Sequence, residues 1–216
     1  MSTTDDTHTV DPKAQLERGL EELKLDIERA GRKKLLDFTE LLEKWNRVYN
    51  LTGIRGTDQI VTGHLLDCLA IVRYVEGADA LDVGSGAGFP GIPLAIARPE
   101  MRVTLLDSNQ KKAAFLREAV SELMLDNATV ICERVESWQP QEKFDLIVSR
   151  AFADLGDMIR LSRHLLAHGG AFAAMKGVLP KEEMENLPQG YRVHKVQRLS
   201  VPGLEAERHL ILMERA

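Results

Sequence analysis

The chain has 216 residues, of which 44% are hydrophobic and 28% are charged, and its formal net charge is -5. This length fits one domain with a single hydrophobic core, with room for a small accessory lobe. The acidic balance disfavours a protein that coats nucleic acid through a global positive field, although it is compatible with a local basic face.

The N-terminus lacks the pattern of a signal peptide, because Asp5 and Asp6 lie where positive charge is expected and no apolar segment follows. No apolar run in the sequence is long enough to span a bilayer. Cys68 and Cys132 are too few and too far apart for a disulfide framework, and no ligand spacing indicates a metal site. We therefore expect a cytoplasmic protein without metal or membrane contact, and nothing in the sequence demands more than a monomer.

The first third of the chain has the periodicity of helices. Residues 1–11 are predicted to form a mobile tip, and Asp11 followed by Pro12 is a typical helix start. Apolar residues then recur at helical spacing in three segments: Leu16, Leu20, Leu23 and Ile27; Leu35, Phe38, Leu42, Trp45 and Tyr49; Ile60, Leu65, Leu69, Val72 and Val75. Residues 12–76 are therefore predicted to form an N-terminal helical lobe, with Trp45 and Tyr49 in its core.

From Ala80 onward, short β-rich runs alternate with helical segments, as in a parallel sheet with crossover helices. The predicted strands are 80–83, 102–107, 128–133, 144–150 and 169–176, and the longest predicted helices are 111–125 and 154–168. Two further strands, "YRVHKVQRLSV" and "ERHLILMER", are separated only by a short connection and predict an antiparallel hairpin. Residues 77–216 are thus predicted to form an α/β, Rossmann-like domain with a mostly parallel seven-stranded sheet.

A glycine loop follows the first predicted strand. Gly84, Gly86 and Gly88 form a G-x-G-x-G pattern where an open α/β sheet binds its ligand. The third glycine of a dinucleotide fingerprint would stand at Phe89, and Pro90 removes an N–H that a pyrophosphate would use. A nicotinamide-dependent oxidoreductase is therefore disfavoured. A ligand with a nucleoside and an amino-acid tail, such as S-adenosylmethionine, fits the loop better.

Two acidic residues accompany this loop. Asp82 precedes the loop and is a further candidate for cofactor contact. Asp107 ends the second strand, where a carboxylate accepts hydrogen bonds from both ribose hydroxyls in Rossmann-like sites. The alternative for Asp107 is the N-cap of the helix that starts near Asn109.

Motifs along nearly the whole chain resemble the glucose-inhibited division protein B family. They are "YNLTGI" (49–54), "HLLDCL" (64–69), "LDVGSGAGFPGIPLAI" (81–96), "LLDS" (105–108), "RVE" (134–136), "SRAFA" (149–153), "MKG" (175–177) and "ERHL" (207–210). Members of this family methylate N7 of a guanine in 16S ribosomal RNA. The resemblance implies a class I S-adenosylmethionine-dependent methyltransferase fold with an added helical lobe.

The resemblance also implies S-adenosylmethionine as cofactor and a guanine near the decoding site, within the small ribosomal subunit, as substrate. Carried over by position, the residues that look like cofactor contacts are Gly84, Phe89, Val135, Glu136 and Arg150. Two rival interpretations remain open: a methyltransferase with another acceptor, and a cofactor-bound scaffold without catalytic activity.

The residues after the fourth strand agree with methylation of a ring nitrogen. Guanine N7 carries an in-plane lone pair and no hydrogen, so its methylation needs alignment and no general base. The segment "SRAFAD" has neither the Asn/Asp-Pro-Pro-Tyr motif of amino-group methyltransferases nor a cysteine nucleophile.

Arg150 ends the fourth strand and is the candidate catalytic residue. A bidentate arginine on O6 and N7 would block the atom to be methylated. We therefore expect Arg150 to contact O6, a phosphate or the methionine carboxylate, but not N7. The alternative is a structural salt bridge with Asp82 or Asp154.

Three other residues are candidates for RNA contact. Lys176 ends the fifth strand and is either a substrate or phosphate contact or a solvated lysine. Asn50 and Arg55 lie in the break between helices and are in reach of RNA, but Asn50 is equally suited to capping the loop. His64 is predicted to be a hydrogen-bonded interior histidine rather than a catalytic one.

Overall fold

The structure is a computed structural model that describes residues 11–150, 152 and 154–216. Residues 1–10 of the predicted mobile tip lie outside the described residues, as do Ala151 and Ala153. In the described part of the chain, no helix is long and apolar enough to cross a membrane.

The segment predicted to form a helical lobe, residues 12–76, contains the helices that precede the sheet. They are α1 (Pro12–Leu23), α2 (Arg29–Tyr49), α3 (Thr57–Ile60), a π-helical turn (Val61–Leu66) and α4 (Asp67–Leu69). Asp11 caps α1 by accepting a hydrogen bond from the Lys13 backbone N–H at 3.1 Å. Leu35, Phe38 and Leu42 on α2 are fully buried.

The remaining chain forms one seven-stranded sheet with order β3-β2-β1-β4-β5-β7-β6. The strands are β1 (Asp79–Val83), β2 (Arg102–Leu106), β3 (Ala128–Ile131), β4 (Phe144–Ser149), β5 (Leu166–Lys176), β6 (Tyr191–Leu199) and β7 (Arg208–Arg215). Strands β1 to β5 are parallel, and β7 pairs antiparallel with both β5 and β6. The predicted Rossmann-like sheet with a C-terminal antiparallel hairpin is confirmed.

The α-helices described between the strands are α5 (Gly91–Ala97), α6 (Gln110–Glu122), α7 (Leu155–Ser162) and α8 (Lys181–Glu185). The predicted helix 154–168 is wrong in its second half, because a 3₁₀ turn follows α7 and β5 begins at Leu166. Leu166 pairs with Phe144 of β4, and a register irregularity follows. This pairing with a distant strand overrides the local helical pattern. The sequence did not predict α8, which has five residues and none buried.

The helical lobe and one face of the sheet share a single apolar cluster. It includes Phe38 of α2, Leu65 of the π-helical turn, Ile92 of α5 and Val148 of β4. A second cluster on the opposite face contains Leu81, Phe172 and residues of α7. The lobe therefore covers one side of the sheet as α7 covers the other.

The third loop glycine lies against the lobe. Gly88 has φ +90°, and a Cβ there would lie 2.6 Å from Ile92 Cδ1 and 3.2 Å from Phe38 Cζ. The missing side chain thus makes room for the protein's own core. At Gly86 (φ +58°), by contrast, the nearest such atom is 3.7 Å away.

We expect Gly88→Ala to lower the free energy of unfolding by about 2 to 4 kcal/mol, because the methyl group adds overpacking to left-handed backbone strain. The matched control is Gly169→Ala, at φ +79° with open space around the Cβ position. Backbone strain alone predicts that Gly169→Ala lowers the free energy of unfolding by about 1 kcal/mol. Urea unfolding measures both losses, and equal losses would show that the contact with Phe38 and Ile92 does not constrain Gly88.

Candidate functional site

Two cavities open at the carboxyl ends of the parallel strands. The first, of about 320 Å³, lies above the glycine loop and is called the loop cavity; its walls include Gly84, Asp107, Lys112, Val135, Glu136 and Phe152. The second, of about 390 Å³, lies between the helical lobe and the ends of β4, β5 and β7 and is called the interlobe cavity; its walls include Ile54, His64, Asp67, Arg150, Lys176 and Arg208. Since β1 and β4 are neighbours in the sheet, the two cavities are adjacent at the position where strand order reverses.

Four of the predicted cofactor contacts line the loop cavity: Gly84, Asp107, Val135 and Glu136. Gly86 lies beside it and donates its N–H to Asp107 Oδ2 at 2.9 Å. Asp82, Gly88 and Phe89 are not among the lining residues of either cavity described here, and Arg150 lines the interlobe cavity instead. The predicted set therefore divides into residues at the loop cavity, residues beneath the loop, and Arg150 in the interlobe cavity.

Asp107 is only 8% exposed and has both oxygens engaged by the backbone. Oδ2 accepts the Gly86 N–H, and Oδ1 accepts the Asn109 N–H at 2.8 Å. A carboxylate has about four lone-pair positions, so each oxygen retains one for a ligand hydroxyl. Asn109, and not Asp107, is the N-cap of α6, because its side chain accepts the N–H groups of Lys111 and Lys112.

Asp82 lies beneath the loop and is fully buried. Its Oδ2 accepts the Gly91 N–H at 2.9 Å, while Oδ1 has no hydrogen-bond partner among the described residues. Burial raises the pKa of Asp82 to about 7, and the Gly91 N–H opposes this rise. The Asp82 side chain points under the loop toward α5. It therefore supports the loop and does not line the cavity.

Phe89 is also buried, at 3% exposure, and its ring joins the lobe to the strand ends. The ring centroid lies 5.2 Å from that of Phe38, 4.8 Å from that of His64 and 5.0 Å from Arg150 Cζ. The Arg150 guanidinium therefore stacks over an aromatic face, an arrangement that favours a cation.

The partners of Arg150 come from the helical lobe. Nη1 lies 3.0 Å from His64 Nδ1 and 3.6 Å from Asp67 Oδ2. The predicted alternative partners were wrong: Asp82 binds the Gly91 N–H, and Asp154 caps α7 and pairs with Arg160 at 3.5 Å. Asp67 Oδ1 also pairs with Arg208 Nε at 3.2 Å, so one buried carboxylate lies between two guanidinium groups.

His64 is an interior histidine, as predicted, and both ring nitrogens are engaged. Nε2 lies 2.6 Å from Thr52 Oγ1, opposite the contact of Nδ1 with Arg150. Burial and the nearby positive charge of Arg150 lower the pKa of His64 to about 4. Burial raises the pKa of Asp67, and the charges of Arg208 and Arg150 oppose the rise.

Lys176 is 11% exposed, which argues against a solvated lysine. Its ammonium donates to Glu183 Oε2 at 2.9 Å and to the Phe152 carbonyl at 3.3 Å. Glu183 also accepts the Leu155 N–H, so Lys176 joins α8 to the start of α7 at the edge of the interlobe cavity.

Asn50 and Arg55 are exposed and line neither of the two cavities. Asn50 has left-handed backbone geometry (φ 48°) and ends α2, which agrees with the capping alternative. Asn46, which sequence reasoning missed, fixes the following loop by binding the Thr52 N–H and the Ile54 carbonyl. Tyr49 is 45% exposed, so its predicted core position is wrong, whereas Trp45 packs against Phe115.

Sequence reasoning also missed Asp67 and Arg208. Both lie inside the quoted motifs "HLLDCL" and "ERHL", so the signal was present in the sequence. The sequence does not show that Asp67 and Arg208 form an ion pair, because only the fold brings the end of the π-helical turn beside the start of β7.

The chemistry available in the interlobe cavity is binding and alignment. Asp67 is ion-paired, His64 has both nitrogens engaged, and His209 donates its Nδ1 hydrogen to the Gly177 carbonyl at 2.7 Å. Burial raises the pKa of the Cys68 thiol, which makes it a poor nucleophile. Among the described residues, no group of three or more His, Cys, Asp or Glu side chains is arranged to hold a metal ion. These features suit an acceptor atom that loses no proton.

Comparison with known proteins identifies the family. A family model described as GidB, rRNA small subunit methyltransferase G, matches residues 31–211. The chain belongs to this family. Similar relatives include the ribosomal RNA small subunit methyltransferase G of Laribacter hongkongensis, 54% identical over 92% of this chain and 96% of the relative. The protein of that name from Neisseria meningitidis serogroup C is 50% identical over 94% of this chain and 98% of the relative.

Solved structures of other methyltransferases resemble the fold of this chain. An S-adenosylmethionine-dependent methyltransferase from Thiobacillus denitrificans, in complex with S-adenosyl-L-homocysteine, has a TM-score of 0.54 at 15% identity, with 89% of this chain and 100% of that chain covered. One from Geobacter sulfurreducens has a TM-score of 0.52 at 15% identity, with 82% and 98% covered. The fold is that of class I methyltransferases.

The raised pKa of Asp82 predicts how stability depends on pH. The folded protein keeps a proton on Asp82 up to about pH 7, whereas the ordinary value is 3.8. Between these values the folded state binds more protons, so stability falls as pH rises. As the pH rises from 4 to 7, we expect the free energy of unfolding of Asp82→Asn to increase by about 2 to 4 kcal/mol relative to that of the unsubstituted protein.

Urea unfolding at a series of pH values measures this difference. Asp126→Asn, at an exposed carboxylate, is the control and should follow the pH curve of the unsubstituted protein. Parallel curves for all three proteins would contradict the protonation of Asp82 in the folded state.

Proposed function

We propose that this protein transfers the methyl group of S-adenosylmethionine to N7 of a guanine in 16S ribosomal RNA. The cofactor would occupy the loop cavity and the guanine the interlobe cavity. The observation that carries the proposal is the adjacency of these two cavities across the β1–β4 boundary. Membership of the family whose model is described as rRNA small subunit methyltransferase G supports the RNA substrate.

The loop cavity has the groups that S-adenosylmethionine needs. Asp107 offers a free lone pair on each oxygen, which suits two adjacent ribose hydroxyls. Gly84, at φ +73°, places bare backbone at the wall where the amino-acid tail would lie. Val135 and Phe152 supply apolar surface for a purine, and Glu136 lies beside them. When bound, the cofactor supplies an electrophilic methyl group on a sulfonium.

Asp82, Gly88 and Phe89 would contribute to cofactor binding through the loop they support. Asp82 holds the start of α5, and Gly88 and Phe89 hold the loop against the lobe. Rigid placement of the acceptor and the methyl group supplies most of the rate enhancement in such a reaction. These three residues therefore act below the cavity rather than inside it.

The interlobe cavity suits guanine N7 as the acceptor. This nitrogen attacks through a lone pair and releases no proton, so the reaction requires no general base from the residues that line the cavity. Arg150 would contact guanine O6 or a phosphate and leave N7 open to the methyl group. Lys176 borders the same cavity, and Asn50 and Arg55 provide polar groups on the exposed face of the lobe for the surrounding RNA.

We propose that the helical lobe, residues 12–76, is the acceptor side of the protein, and that residues 77–216 are the cofactor side. Ile54, His64 and Asp67 come from the lobe and line the interlobe cavity. With a net charge of -5, affinity for the substrate would depend on the shape of the small subunit more than on bulk charge. The protein would act as a monomer in the cytoplasm, where ribosomes are assembled.

Methyl transfer to RNA tests the function directly. Small subunits from a strain that lacks the protein are incubated with the enzyme and tritiated S-adenosylmethionine. Borohydride and aniline cleavage then maps N7-methylguanine. We expect one cleaved position in 16S ribosomal RNA. Cofactor binding without labelled RNA would contradict the proposed substrate and would indicate another acceptor or a scaffold.

The ribose contact of Asp107 is tested by paired ligands. We expect Asp107→Asn to weaken binding of S-adenosylhomocysteine by about 10- to 100-fold, because a charged hydrogen bond contributes about 1.5 to 3 kcal/mol. It should also erase the preference for this ligand over its 2′,3′-dideoxy analogue. Calorimetry measures both affinities. The control is Asp79→Asn, at the opposite end of β1, where Asp79 pairs with Arg102. An unchanged preference in Asp107→Asn would exclude the ribose role.

A further inference from the structure

We propose that His64 is a positioning residue that fixes the Arg150 guanidinium in the interlobe cavity through one defined tautomer. The inference rests on the proposed function, because it assigns the helical lobe a role in holding the arginine that meets the acceptor. His64 belongs to the π-helical turn, which places it toward Arg150 across the cavity from the sheet.

The hydrogen bonds determine the tautomer. A guanidinium group has donors and no acceptor, so His64 Nδ1, at 3.0 Å from Arg150 Nη1, must accept. A neutral ring then carries its hydrogen on Nε2, which donates to Thr52 Oγ1 at 2.6 Å. Thr52 Oγ1 also accepts the Ile54 N–H at 3.2 Å, so the loop after α2 fixes the threonine. A chain of defined hydrogen bonds therefore runs from this loop to Arg150.

The other contacts of Arg150 fix the orientation of its guanidinium group less well than His64 does. Phe89 supports the guanidinium from below, 5.0 Å from the ring centroid to Cζ, and leaves it free to rotate in its plane. Asp67 Oδ2 is 3.6 Å away, beyond normal hydrogen-bond length, and the same carboxylate pairs with Arg208. His64 provides the one direct hydrogen bond to this guanidinium that the structure shows within the described residues.

Neutrality is the advantage of histidine at this position. A second carboxylate would compensate the charge of Arg150, whereas a neutral acceptor orients the group and leaves its charge available. Around the cavity, Arg150 and Arg208 share the one carboxylate of Asp67, and Lys176 pairs with Glu183. One positive charge thus remains for an anionic or carbonyl oxygen of the substrate. The low pKa of His64, about 4, agrees with a neutral ring.

Substitutions that replace one ring nitrogen at a time test this assignment. In His64→Asn the amide oxygen occupies the position of Nδ1 and keeps the acceptor, whereas in His64→Gln the amide lies near the position of Nε2. We expect His64→Ala to lower kcat for methylation of small subunits by about 10- to 100-fold, as misplacement of an aligned group does. We expect His64→Asn to stay within about 5-fold of the unsubstituted enzyme and His64→Gln to resemble His64→Ala.

A double-mutant cycle separates positioning from a general structural effect. If His64 acts through Arg150, His64→Ala should cause no further loss in an Arg150→Ala background. The affinity for S-adenosylmethionine should change less than 2-fold in calorimetry in each His64 single variant. His194→Asn, at an exposed histidine of β6, is the control for loss of an imidazole.

Equal losses in His64→Asn and His64→Ala, or full additivity with Arg150→Ala, would overturn the positioning role. Long-range ¹H–¹⁵N spectra of the unsubstituted protein give a readout independent of activity, and a hydrogen on Nδ1 of His64 would also overturn it. If the unsubstituted enzyme labels no RNA, the proposed function fails, while the spectra still decide the tautomer.

Discussion

A single hydrogen bond beneath the glycine loop organises the site. Asp82 Oδ2 accepts the Gly91 N–H at 2.9 Å and so joins the end of β1 to the first turn of α5. The loop between them then has two faces. Its upper face presents Gly84 to the loop cavity, and its lower face brings Gly88 and Phe89 against the helical lobe. Displacement of this one link would disturb the loop cavity and the interlobe cavity together.

The interlobe cavity depends on charged side chains that lie far apart in the sequence. An acidic chain concentrates two guanidinium groups around Asp67, in a cavity that also borders on His64. Burial makes an ionised group expensive unless a partner compensates it. The shared carboxylate provides that compensation for two arginines while leaving net positive character. Local electrostatics at this site therefore differ in sign from those of the whole protein.

The sequence predicted the elements that local patterns encode. The five parallel strands, the hairpin and the helices before the sheet follow from hydrophobic periodicity. The location of Gly84 and Asp107 on the loop cavity follows from the loop pattern and the strand end. The start of β5 at Leu166 was missed because pairing with β4 determines it. The partners of Arg150 were missed for a similar reason: ion pairs between distant segments leave no periodic signal. The packing of Gly88 against Phe38 and Ile92 was not predicted, because a glycine pattern does not show what approaches the backbone.

The apolar cluster shared by the lobe and the sheet has a consequence for how the protein can be divided. Residue 76 marks a change of sequence pattern, but Phe38, Leu65, Ile92 and Val148 belong to one core that extends across it. A fragment that begins at residue 77 would expose Ile92 and Phe89 to water and deprive Arg150 of His64 and Asp67. The lobe is therefore a component of the folding unit and not a detachable specificity module, and grafting it onto another methyltransferase would require the complementary face of α5 as well.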